Sequence, residues 1–220
     1  ILRGSSVKNS AETEALIIRD APLIVHASHE RIRDELAQLA ACPSTADHVR
    51  YLYHLGVLPH ILPELSSLPE RSIHAMRAIE DILLQSAATT PESYDAPQTA
   101  LREVFSPYWT SLASHFAEVL SDVRSRAILL KLAALLYDIG QVGKTKSDVA
   151  AAALQRLHFS KREVELAQTV IGHYPQLRLL ARQEKLSPRD CYRFFHRHGD
   201  AGLDIICLAL AVGCAIELHE

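Results

Sequence analysis

From Arg124 to Asp138 the residues are apolar on nearly every face of a helix, so this segment must be enclosed by the rest of the chain. Its most apolar stretch, Ala127 to Leu136, falls far short of the roughly 20 residues that span a bilayer, and it reads as the central helix of a packed core. Only eight glycines occur, mostly at segment ends, and runs of Ala, Leu, Arg and Glu carry the helical pattern to both sides. No stretch reads as a strand. The expected fold class is all-α, a multi-helix array, and a hydrophobic content of 48% over 220 residues is ample for its core.

The local signals divide the chain into helices. Ser28 precedes Glu30 to Leu36, an N-cap with an acidic first turn, and Ile32, Leu36 and Leu39 share a face that stops at Cys42-Pro43. Ser44 to Leu55 ends at Gly56, and the proline-punctuated Leu58 to Leu65 reads as a turn region. A long helix is predicted over 69–87, a loop and internal boundary around 89–97, and a helix over 99–120 broken near Pro107. Further helices are predicted over 147–157, 161–173, 175–185, 188–198 and 201–218, with Pro175 as a break.

The formal charge of −3 and pI near 6.5 give no global pull toward nucleic acid, so any such affinity requires a local basic patch. One is present. Arg178, Arg182, Lys185, Arg189, Arg193 and Arg197 recur mostly every three or four residues against Glu184 and Asp190 alone, a spacing that projects several cations to one side of a helix. Tyr192, Phe194 and Phe195 lie among them and suit stacking on unpaired bases, or core packing. Lys161 and Arg162 at a helix start would extend the same patch. The alternative is a solvated face.

Other patterns are weaker. Gly140 to Thr145 lacks the glycine two residues upstream and the preceding strand that a phosphate-binding loop needs. Cys42, Cys191, Cys207 and Cys214 form no CxxC pair and read as buried thiols in a reducing compartment. No signal peptide is visible, which leads to a cytoplasmic expectation, and the start at Ile1-Leu2-Arg3 reads as a cut or edited junction. Arg31 and Glu35, four apart, are expected to form an intrahelical ion pair. Among twelve histidines, His74 and His173 merit notice with Asp138, because helix ends are places where metal ligands converge.

Leu132 to Gly140 resembles the signature of HD domains, in which His-Asp ends a buried helix and holds a metal. Tyr137 stands in the histidine place, and a phenol with pKa near 10 stays protonated and is a poor ligand. The segment 141–147 has no histidine, and Val212 follows Leu208 to Ala211 where the family has an aspartate. The resemblance therefore implies a degenerate HD site at His74, Tyr137, Asp138, His173 and Val212, with no metal held.

The wider resemblance is to the C-terminal part of class II tRNA nucleotidyltransferases and bacterial poly(A) polymerases. Glu12 to Ile17, Ser28 to Leu36 and Leu55 to Leu65 look like their neck; Leu157 to Val164 and Ser187 to Phe195 look like their helical body. It implies a helical neck region of RNA-binding type over 1–66 and a degenerate HD-like body over 67–220, lacking the nucleotidyltransferase palm. The Asp-x-Asp carboxylates that hold two metals are missing, so no catalytic residue and no cofactor is assigned to this chain, and Mg belongs to the head domain of the resembled family. The implied partners are tRNA or another RNA and a nucleotidyltransferase head domain in cis or trans; a homodimer is left open and no membrane is expected. A metal-dependent HD phosphohydrolase and a structural or dimerising helical module are the alternatives.

Overall fold

A computed structural model describes residues 10–65, 68–87, 105–140, 143–180 and 186–217. The first five α-helices are α1 Ala11–Asp20, α2 His29–Ala41, α3 Thr45–His54, α4 Leu58–Ile61 and α5 Glu70–Ala87, with a 3-10 helix, Ala21–His26, after α1. A 3-10 turn at Ser106–Tyr108 leads into α6 Trp109–Ala117, and a hairpin of β1 Val119–Ser121 and β2 Arg124–Ser125 leads into α7 Arg126–Leu136. Then follow α8 Lys146–Arg156, α9 Lys161–Leu180, α10 Pro188–His198 and α11 Ala201–Glu217. The all-α array is what forms.

Helix α7 is the axis of the molecule. Every residue from Ile128 to Leu136 is buried, and α5, α9, α2, α11 and α6 pack around it. Ile73, Met76 and Ile79 of α5, Leu154 of α8 and Ile205 and Leu208 of α11 lie in the same continuous core, which also takes in Leu36 and Val49 from the N-terminal helices. The apolar run thus has partners on all sides, which satisfies the requirement set by its sequence.

Three cations begin or interrupt this apolar stretch, and each is matched. Arg124 donates from Nε to Glu163 at 2.7 Å, with both side chains almost wholly buried. Arg126 donates to Asp204 at 2.7 Å and, from Nε, to Glu118 at 2.9 Å. Lys131 donates to the Cys42 carbonyl at 2.6 Å and to the Thr45 hydroxyl at 3.1 Å, fixing the end of α2 to the central helix. Burial pulls the Lys131 ammonium below its ordinary value, and the Glu80 carboxylate opposes that shift. A buried charge is tolerable only with such partners.

The N-terminal helices are tied to the body by further polar contacts. Arg33 donates to the His158 carbonyl at 2.8 Å, Arg156 to Glu64 at 2.8 Å, and the Ala46 amide to Glu80 at 2.9 Å. Ser28 caps α2 by accepting from the Arg31 amide, as its sequence position predicts. Ser28→Ala is expected to cost about 1 kcal/mol in urea unfolding, the usual value of a lost N-cap.

Four expectations require correction. The hairpin at 119–125 is a small sheet where no strand was foreseen; strands of three and two residues leave no period to read. Asp122 at its turn has φ +50°, a conformation Asp tolerates better than most residues. Helix α9 runs unbroken through Pro175 instead of dividing there. Pro175 is exposed while Ile171 and Tyr174 are buried, so the proline ring points to solvent and packing before it holds the helix together despite the hydrogen bond lost at the Ile171 carbonyl. Residues 58–65 include the short helix α4. The cysteines are not uniformly buried: Cys207 is, Cys42 and Cys214 are half-buried, and Cys191 is exposed.

Candidate nucleic-acid interface

Helix α10 begins sharply. Pro188 occupies its first turn, the Ser187 hydroxyl accepts from the Asp190 amide at 3.2 Å, and the Asp190 carboxylate accepts in return from the Ser187 amide at 3.3 Å. These contacts, the Ser187 hydroxyl first, hold the Asp190 carboxyl below the ordinary range. The one acid of this helix is therefore spent on its own cap.

Arg189, Arg193 and Arg197 follow at intervals of four and are all exposed. At about 100° per residue they form one row, and Tyr192 and His196 flank it, their rings 5.5 Å apart. Tyr192 is 68% exposed, enough to leave a ring face open. Among the described residues none of the three arginines forms an ion pair. The opposite side of α10 faces the body: Phe194 packs 5.0 Å from His198, and His198 stands 4.5 Å from His173 of α9.

The docking of α10 depends on a close approach. A Cβ at Gly202 in α11 would come within 3.0 Å of Phe195 and 3.2 Å of Phe194, so a side chain there would require the two rings to move back by a few tenths of an ångström. Burial, then His173 and Arg197, hold His198 below its ordinary value. A histidine whose folded state is the poorer proton acceptor gives stability that is complete above its unfolded value near 6.5 and fades as pH falls. Acidification thus weakens this contact.

The other cations of the stripe divide. Arg178 is half-buried on α9; Arg182 and Lys185 lie outside the described residues. Lys161 and Arg162 are exposed at the start of α9, but Lys161 pairs with Glu165 at 3.7 Å and Arg162 with Glu118. Arg162 also stands eleven residues before His173, about 16 Å along the axis, so the pair does not continue the α10 row.

The HD-like positions are also placed. Tyr137 is buried, and its ring meets that of Tyr174 edge-on at 5.6 Å. Asp138 is engaged by the Lys146 ammonium. His74 is half-buried on α5, His173 bonds through Nδ1 to the Thr169 carbonyl at 2.8 Å, and Val212 is buried on α11. Among the described residues no three His, Cys, Asp or Glu side chains converge as a metal site.

The N-terminal helices present a different surface. An open groove of about 440 Å³ is lined by Ile24, Ile32, Leu36, Leu39, Leu52 and Ile61. Arg31 and Glu35 also line it and do not pair with each other, which corrects the expected ion pair. The arginine precedes the glutamate, the less favourable order on a helix. Leu16, Ile18, Leu23 and Val25, each at least 51% exposed, extend the apolar surface.

Against protein-family models, residues 10–68 match the one described as "Probable RNA and SrmB- binding site of polymerase A". This stretch is poly(A) polymerase-like. It supports an RNA-binding role, with RNA as a partner. No curated protein matches the chain. The match covers 59 of the 220 residues, the N-terminal helices alone. That stretch carries four arginines against eight carboxylates, so phosphate contact within it requires a local grouping of its cations. No helix among the described residues is long and apolar enough to cross a membrane.

Proposed function

We propose that this chain is the RNA-holding helical part of a tRNA nucleotidyltransferase or poly(A) polymerase-like protein, with α10 as its phosphate contact. The observation that carries the reading is the row of Arg189, Arg193 and Arg197, exposed, without ion-pair partners among the described residues, and flanked by the open ring of Tyr192. Guanidinium groups in such a row track a phosphate backbone, and the tyrosine offers a sequence-tolerant stacking surface.

In this reading residues 1–66 are the neck and residues 67–220 a degenerate HD-like body, acting on tRNA in the cytoplasm. A head domain with its own Mg, in cis or trans, performs the nucleotide addition and seats on the apolar groove and the Leu23–Val25 surface. An open groove lined mainly by apolar side chains suits a protein partner better than RNA.

Titration of the chain with tRNA at low and at physiological salt tests the proposal. Binding that is clear at low salt and falls steeply with salt is expected. Absence of binding at low salt would remove the reading for the chain on its own. Phosphodiester turnover with Mn²⁺, abolished by Asp138→Ala, would favour the phosphohydrolase instead.

A further inference from the structure

Helix α10 carries two parallel strips. Arg189, Arg193 and Arg197 form the cationic one, and each step of four residues advances about 6 Å along the axis, close to the spacing of successive phosphates on one strand. Along one flank of that row stand three exposed rings: Tyr192 is 68% exposed, Phe195 is 43% exposed, and His196 is exposed as well. Tyr192 and His196 repeat at the same four-residue interval, each one residue ahead of an arginine of the row, with their rings 5.5 Å apart. Cations and rings therefore share one repeat and lie side by side.

This arrangement selects between the two forms in which RNA is met. A duplex hides its base faces within the stack and presents phosphates on both sides of its groove. On α10 the side of the rings away from the arginines carries Pro188 and Cys191 and no cation, so one backbone is provided for and a second is not. Beside a duplex the open rings would meet only sugars and base edges. An unpaired strand, in contrast, lays its backbone on the arginines and turns its base faces onto the rings. The capping box at Ser187 and Asp190, with Pro188 in the first turn, fixes the start of the helix, so both strips are in register before RNA arrives and little ordering has to accompany binding.

We propose that α10 binds unpaired RNA, with about one nucleotide to each turn of the helix, and discriminates against duplex. This rests on the reading of α10 as the phosphate contact and adds the form of RNA that it takes. The phosphates run along Arg189, Arg193 and Arg197 while bases stack on Tyr192 and His196. Every base has a π-face, so the strip accepts any sequence, and the RNA held here is a loop or a single-stranded end.

Fluorescence anisotropy of the full chain at low salt, with a short labelled RNA presented as a single strand and annealed to its complement, tests this. The single strand is expected to bind about tenfold more tightly, although the duplex carries twice the charge. Tyr192→Leu should lower single-strand affinity about tenfold while leaving the duplex affinity and the salt slope unchanged, and Tyr192→Phe should keep the wild-type affinity. Both variants should melt at the wild-type Tm, since the side chain is exposed. Duplex bound as tightly as single strand, or Tyr192→Leu weakening both forms equally or neither, would overturn the inference and leave the phosphate contact standing. Failure of the wild type to bind either form would overturn both.

Discussion

Glu163→Ala is expected to destabilise the protein by about 3 kcal/mol or more, the range for removing one partner of a buried ion pair. Glu163 is 1% exposed; its carboxylate receives Arg124 Nε at 2.7 Å and Nη2 at 3.4 Å, and it also accepts from the Ser160 amide at 2.8 Å at the start of α9. Removing it leaves a guanidinium with 5% side-chain exposure holding the Ser121 hydroxyl at 3.2 Å and, as charged partners, only the outer carboxylates of Asp122 at 3.1 Å and Asp34 at 3.5 Å. Those two are largely exposed and screened, and do not replace the lost partner. The double variant Arg124→Met/Glu163→Leu should recover most of the loss, because apolar replacements of similar volume leave no charge stranded. Urea unfolding with an unchanged m-value measures both. A single-variant cost under about 1 kcal/mol would mean that water reaches the pair.

Replacing Arg189, Arg193 and Arg197 together with alanine is expected to weaken RNA binding at low salt by on the order of a hundredfold, taking about 1 kcal/mol for each solvated arginine–phosphate contact. The fold should not change, since all three side chains are exposed and make no ion pair among the described residues, while Phe194 on the other side of α10 keeps the helix docked. Alanine is also the strongest helix former, so α10 itself is not weakened. Arg162→Ala serves as the contrast: its charge is met by Glu118, and its removal should leave RNA affinity nearly intact.

What the sequence revealed follows the range of the signals involved. The apolar run of α7, the serine cap of α2 and the α10 row with its Pro188 start all rest on neighbours within a few residues, and each was legible. The hairpin was not, because β1 and β2 depend on pairing across Asp122-Val123 and on the place where Arg124 and Arg126 meet Glu163, Asp204 and Glu118, partners remote in sequence. Pro175 was given a breaker's weight that packing on both sides outweighs. The i to i+4 spacing of Arg31 and Glu35 fits a pair, yet the groove beside them decides where they stand. Likewise the stripe from Arg178 to Arg197 reads as one feature in sequence, whereas in the fold Arg178 is half-buried on α9 and the other described arginines are exposed on the separate helix α10.

The most direct measurement of the central claim is the salt dependence of RNA binding by the wild type and by the triple arginine variant. Three phosphate contacts on single-stranded RNA correspond to a slope of about −2 in log affinity against log salt, and the variant, with an unaltered Tm, should lie near zero. Equal slopes for the two proteins would contradict the assignment of α10 as the surface that holds RNA.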